Sequence, residues 1–386
     1  MRLARKKRWF ALAAVLVAVA VSWHPVGRVA WAARLAFSLD RLTHDLSNGV
    51  ERRDLAVTDA KADRTGDGGR TYEALYYRPS GTAPKTAVII AAGLSEKGCH
   101  DPRLVALART LASNGLLVVT PDIREFREFE ISAEPIRQIT FWHGQVPSLE
   151  GGAGIRKVGM AGISYSGTMA IIAASRPEIR DDTAFVLAIG PYFDLIGCAR
   201  EWFAAGSPDE WKGFYPQRYY ARWLLMRAAL DMLPTPVERR FMDETVAALI
   251  ATHRAPAVPP GMTPAGRRWH GLATVRPGQT DGELATAIER HLAAALYDDL
   301  SPEKPLAELR CPLFLIHGAH DDLIPPRESV ELHRRVVGQG RAAHLLVSPL
   351  LSHTQPVEAP QTFRQKLATG WDIFSFGYRL AAVMTD

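Results

Sequence analysis

The sequence predicts an α/β protein, a mostly parallel central sheet with helices on both faces, interrupted by an inserted and mainly helical cap. Three observations carry this. Beyond residue 50, short apolar runs alternate with longer amphipathic stretches, the pattern of a sheet covered on both faces. The same alternation resumes at Pro312. Between Ile189 and Pro312 lie over a hundred residues, too many for a simple crossover, so an extra unit must sit there.

The elements follow in order. Leu55 to Ala60 and Thr71 to Tyr77 flank a polar, Gly-rich turn and predict a leading hairpin. Thr86 to Ala91 is an unbroken apolar run suited to a buried strand, Asp101 to Asn114 a helix closed by Gly115, and Leu116 to Thr120 the next strand. Ser132 to His143 predicts a helix and Lys157 to Gly162 a strand. Tyr165 to Ser175 is a helix stopped near Pro177, and Ala184 to Ile189 another strand. In the insert, Asp281 to Tyr297 is helical, with Thr280 and Glu283 spaced as a capping box, and 256–264 is a Pro-rich loop. Strand, helix and strand return at Pro312 to His317, Pro326 to Val337 and His344 to Val347. Last, Phe363, Leu367, Trp371, Phe374 and Tyr378 recur at spacings of three and four, predicting a helix that packs on the sheet. The implied organisation is a leader at 1–36, core at 37–194, cap at 195–300 and core again at 301–386.

With 386 residues, 47% of them hydrophobic, the chain can bury a large core. Its formal charge of +5 is carried entirely by Arg2, Arg5, Lys6, Lys7 and Arg8, leaving 41 basic against 41 acidic residues in the remainder. A neutral body argues against a nucleic-acid partner. The basic cluster runs straight into an uncharged apolar stretch, Trp9 to Trp23, the pattern of an export signal or membrane anchor that leaves the body outside the cytoplasm. Counted to Gly27 it is long enough to span a bilayer; counted to Trp23 it is closer to a signal peptide, with Ala30-Trp31-Ala32 as a cleavage site. Both readings stand. Three cysteines, Cys99, Cys198 and Cys311, define no disulfide framework, although one Cys99–Cys198 bridge is conceivable.

The sharpest local signal is Gly162-Ile-Ser164-Tyr-Ser166-Gly167, set between an apolar strand and a helix. A nucleophile in so tight a turn needs small residues two before and two after it. Gly162 and Ser166 satisfy that for Ser164, whereas Ser166 itself would be flanked by Ser164 and the β-branched Thr168. The segment resembles the nucleophile elbow of the α/β-hydrolase superfamily, with Ser166 standing where the motif has Gly. The resemblance extends to His317-Gly318-Ala-His320-Asp321-Asp322-Leu-Ile-Pro325, which looks like the turn carrying the catalytic acid, and implies Asp321 in that role, ahead of Asp322 and the more distant Asp194. It implies His353, in the loop after the last strand, as the base, while His344 sits at the wrong end of that strand. The order Ser164, Asp321, His353 is that of the superfamily's triad. By the same likeness the oxyanion hole is formed by the backbone N–H groups of Tyr165 and Leu94, although Ala92 stands where many relatives carry a His.

This implies an acyl-enzyme mechanism with no cofactor and no metal; His317 and His320 beside two aspartates make a weak metal cluster without a remote partner. Eight aromatics between Trp202 and Trp223 suggest both a cap core and an apolar lid, hence a small-molecule ester, or thioester, with an apolar group. A serine peptidase on the same fold and a non-catalytic, membrane-tethered binding protein are the alternatives. Oligomeric state is not legible.

Overall fold

A computed structural model describes residues 49–59, 69–81, 83–155, 157–204, 217–275, 280–353 and 362–385. Among them eight strands form one sheet: β1 (Val50–Asp59), β2 (Arg70–Pro79), β3 (Ala87–Ala91), β4 (Leu117–Pro121), β5 (Val158–Ile163), β6 (Thr183–Ile189), β7 (Leu313–Gly318) and β8 (Ala343–Ser348). Their order is β1-β2-β4-β3-β5-β6-β7-β8. The expected hairpin is present as the antiparallel pair β1–β2, β2 pairs antiparallel with β4, and every later pairing is parallel. All five residues of β3 and of β4 are buried, as strands covered on both faces require.

The covering helices are α1 (Pro102–Ser113), the short α2 (Arg124–Arg127), α3 (Glu134–Gln145), α4 (Tyr165–Ala174), α5 (Leu195–Phe203), α6 (Gln217–Ala228), α7 (Pro236–Thr252), α8 (Pro264–Thr274), α9 (Gly282–Leu300), α10 (Arg327–Gly338) and α11 (Phe363–Thr385). Local chemistry starts several of them. The Asp101 carboxylate accepts the Arg103 N–H ahead of Pro102 at the head of α1, and Thr235 and Thr263 cap α7 and α8 in the same way. Helix α4 is apolar on every side because it lies within the core, and all its residues are buried. With helices on both faces of a mostly parallel sheet, the fold is that of an α/β-hydrolase.

The gap between β6 and β7 holds α5 to α9. The capping box expected at Thr280 is not formed. Asp281 caps α9 through the Leu284 N–H, while Thr280 Oγ1 donates to the Phe203 carbonyl. Asp wins because it stands one residue nearer the first turn, leaving the threonine hydroxyl to tie α5 to α9 instead.

The last helix packs differently from expectation. Leu367, Trp371 and Phe374 are 50, 57 and 44% exposed, and it is Phe376, Leu380, Ala381 and Met384 that are buried. Helix α11 carries two apolar faces, and the face turned to the sheet is the one where Phe376 meets Phe314 of β7 edge-on beside Leu380, Ala381 and Met384. Trp371, Phe374 and the half-buried Tyr378 instead form a row of rings, with centroids 6.0 and 6.4 Å apart, the first pair tilted and the second stacked. The three cysteines are free and buried. The apolar leader and cluster residues Trp211, Phe214 and Tyr215 lie outside the described residues. Among the described residues no helix is long and apolar enough to cross a membrane.

Candidate active site

Parallel strands bring their carboxyl ends to one edge, and pairing register sets which ends are neighbours. Gly162 of β5 pairs with Ala188 of β6, Ile189 with Ile316 of β7, and Gly318 with Ser348 of β8. Ser164 follows β5, Asp321 follows β7 and His353 follows β8, so the three loops converge.

Ser164 stands at the strand-to-helix turn with φ 60° and ψ −126°, a strained conformation for a side chain with a Cβ. Its N–H donates to the Ile189 carbonyl at 2.6 Å, fixing the turn to β6. A Cβ on Gly162 would collide with the Ser166 carbonyl, which explains the glycine two residues before. Ser166 is buried within the elbow, its Oγ 2.8 Å from Ile163 N and 3.1 Å from the Ala91 carbonyl. The hydroxyl found where glycine is usual thus stitches the turn to β3, and it is turned away from the cavity that Ser164 lines.

Ser164 Oγ lies 2.8 Å from His353 Nε2, and His353 Nδ1 lies 2.7 Å from Asp321 Oδ2. Asp321 Oδ1 accepts the backbone N–H groups of Leu323 and Ile324 at 3.0 and 2.8 Å. Burial alone would raise the Asp321 pKa; hydrogen bonds from His317, His353 and the Ile324 N–H outweigh it and hold the group well below the usual carboxylate range. Asp322 is exposed, and Asp194 caps α5 through the Gly197 N–H. His344, at the start of β8, contacts the Phe314 ring and Arg379. None of these three joins the convergence. Neither the Tyr165 nor the Leu94 N–H has an acceptor among the described residues, and both residues line the same cavity as Ser164.

Several contributors escaped the sequence reading. A Cβ on Gly318 would strike the Ser352 carbonyl, so this glycine lets the histidine loop cross the end of β7. Gly190, with φ 61°, passes close by both His353 and Asp321. Glu328, buried on α10, accepts the Phe193 and Asp194 N–H groups at 3.0 and 2.8 Å and anchors the loop from which the cap departs. The Gly-Pro pair at 190–191 was the available signal for that loop; Glu328 had none. His317 is buried against Ser329 rather than paired with exposed His320, so the two make no metal cluster. Cys99, His100 and Asp122 do lie within ligand distance of one another, but Arg127 already occupies Asp122 at 2.9 Å and burial pushes the thiol up to about 12, a poor donor set for a cation.

Over Ser164 lies a cavity of about 600 Å3. Its floor is Ser164, Tyr165 and His353, and its walls are Leu104 and Leu107 from α1 with Trp202, Leu224 and Leu225 from the insert. Its charged members, Asp101 and Arg103, are bonded to one another at 3.0 Å.

The family model of the X-Pro dipeptidyl-peptidase (S15 family) matches residues 154–355, just over half of the chain, from the elbow to the histidine loop. The chain belongs to this family. That makes it a serine hydrolase of the α/β-hydrolase fold. No curated protein matches it. Among solved structures it is similar to the acylaminoacyl peptidase of Pyrococcus horikoshii (15% identity, TM-score 0.45, 84% of this chain and 41% of that one). Others are brefeldin A esterase, a bacterial homologue of human hormone sensitive lipase (17%, 0.47, 92% and 85%), and the esterase Est22 (15%, 0.48, 95% and 90%). The chain thus spans about two fifths of the peptidase's length. In this S15 family member, the insert contributes Trp202, Tyr220, Ala221, Leu224 and Leu225 to the cavity, while Phe203, Tyr219 and Trp223 are buried in the insert's own packing. The described members of the aromatic cluster are therefore divided between the cavity lining and the insert's own core.

Proposed function

We propose that the protein is a carboxylesterase acting on small esters with an apolar acyl group, exported or anchored by its N-terminal segment. Ser164 attacks the carbonyl as His353 takes its proton, Asp321 orients and stabilises the imidazolium, and the N–H groups of Tyr165 and Leu94 receive the oxyanion. The alcohol leaves with the proton from His353, and water resolves the acyl-enzyme by the reverse proton path. A buried imidazole 2.8 Å from a hydroxyl in a strained turn supports the nucleophile assignment. The observation carrying the substrate class is the cavity wall: mostly aliphatic and aromatic, with its carboxylate Asp101 already neutralised by Arg103, so no free anion among the described lining residues stands ready for a peptide's terminal ammonium.

The family description favours a second reading, cleavage of an X-Pro dipeptide from a peptide N-terminus. One experiment separates them. Fluorophosphonate labels the wild-type protein and the Ser166→Ala variant but not Ser164→Ala, and p-nitrophenyl esters of rising chain length are turned over far faster than X-Pro p-nitroanilides. Labelling that survives Ser164→Ala removes the nucleophile assignment; faster cleavage of the anilides makes the protein a peptidase.

A further inference from the structure

His317 has no part in the triad, yet its imidazole is fully buried and reaches the carboxylate that His353 uses. Its Nε2 lies 3.2 Å from Asp321 Oδ2 and 2.8 Å from the Ile324 carbonyl. Both neighbours are acceptors, so Nε2 carries the proton; it donates to the Ile324 carbonyl and presents the same N–H edge to Asp321 Oδ2. On the far side, Nδ1 lies 2.7 Å from Ser329 Oγ, which anchors the ring from the opposite edge. Among the described residues, Asp321, Ser329 and the Ile324 carbonyl are the polar partners of this ring. Asp321 Oδ2 consequently sits between two imidazoles, His353 at 2.7 Å and His317 at 3.2 Å, while Oδ1 is held by two backbone N–H groups.

We propose that His317 is a positioning residue for catalysis, bracing the Asp321 Oδ2 that His353 also uses and being itself anchored by Ser329. The proposal rests on Ser164, His353 and Asp321 being the catalytic set. With two backbone donors on one oxygen and His317 beside the other, the carboxylate is restrained at both oxygens and its charge faces two imidazoles. His317→Leu removes the brace and concentrates the charge on His353, which favours the imidazolium and leaves less of the free base at mild acidity.

The test is steady-state kinetics on a p-nitrophenyl ester from pH 5 to 9 for His317→Leu, His317→Gln and Ser329→Ala, alongside Ser164→Ala and Asp321→Asn. Loss of a partner that orients a functional imidazole costs about 10–100-fold where it has been measured at metal sites. The expected result for His317→Leu is a fall in kcat of at least about tenfold with little change in KM, and an acid limb displaced to higher pH. His317→Gln, which restores an N–H donor, recovers most of both, and Ser329→Ala moves both in the direction of the Leu variant but less. Wild-type kcat and an unmoved acid limb in His317→Leu overturn the proposal, even if that variant melts earlier. Should the Leu variant not fold, Ser329→Ala decides, and unchanged kcat and limb there are equally fatal. Wild-type turnover in Ser164→Ala or Asp321→Asn instead overturns the catalytic assignment on which the proposal stands.

Discussion

The core and the inserted helices bury polar groups by different means. In the core, three side chains around the site are tied to backbone groups: Ser166 bridges two strands, Glu328 takes two loop N–H groups, and Asp321 takes two more. In the insert, the buried Arg222 lies 4.4 Å over the Tyr219 ring, its Nε and Nη2 donating to the carbonyls of Trp202 and Ala204, and burial draws its pKa down to about 10. A site of fixed geometry is thus assembled on strand ends, while the unit above it is joined by rings and single polar handles and tolerates adjustment. This contrast predicts that core changes act on the chemistry or on folding, and insert changes on stability and selectivity.

The largest effect is expected at Asp321. Asp321→Asn preserves shape but donates to the wrong imidazole tautomer, and at a Ser-His-Asp site that costs about 10⁴-fold in turnover. Ester hydrolysis and fluorophosphonate labelling should fall together; a variant within tenfold of wild type would show that the geometry of the pair is incidental. Next come two glycines chosen from the two regions. Gly162→Ala must displace the Ser166 carbonyl and should lose about 3 kcal/mol or more in urea unfolding. Gly271, exposed in α8 with open space around it, should gain about 0.5–1 kcal/mol as Ala. Equal effects at both positions would erase the distinction between a register-bound core and an adaptable insert.

A third test uses acid. His143 of α3 is buried beside Thr183 at 3.3 Å, and burial lowers its pKa to about 4. The unfolded chain, titrating near 6.5, takes up the proton first, so the native state loses up to about 3 kcal/mol as pH falls from about 6.5 to 4 and nothing more below that. His143→Gln keeps a polar partner for Thr183 without the charge, and its unfolding midpoint should be correspondingly flatter over this range. If both proteins show the same slope, the acid sensitivity lies elsewhere.

How far the sequence was readable follows the same division. Strands β3 to β8 and helices α1, α3, α4 and α10 announced themselves by apolar runs and stops, because core elements carry periodic signals and tight turns carry glycine. Ser164, Asp321 and His353 were legible because each follows a strand within a recognisable turn. His317 was seen only as a weak metal ligand, and Glu328 was invisible, since a side chain reaching across to another element leaves no local trace. The last helix misled because two apolar stripes coexist on it, Leu367-Trp371-Phe374 and Phe376-Leu380-Met384, and spacing alone does not say which faces the sheet. Within the insert, spacing could count aromatics but could not divide cavity-facing Trp202 from the inward-packed Trp223.

The smallest effect is expected where the two regions touch. The Trp202 ring lines the cavity, and its Nε1 donates at 2.6 Å to the Leu323 carbonyl, whose own residue donates its N–H to Asp321 Oδ1. Trp202→Phe keeps an aromatic wall but removes this single bond, a loss of about 1 kcal/mol in stability. Because Asp321 keeps all its donors, turnover of a short ester such as the acetate should change little. Longer acyl chains, which need the wall in register with Leu224 and Leu225, should lose about fivefold in kcat/KM, the equivalent of about 1 kcal/mol. A uniform loss across chain lengths would mean that Trp202 acts through the acid turn rather than through the lid, and that the insert belongs to the catalytic apparatus itself.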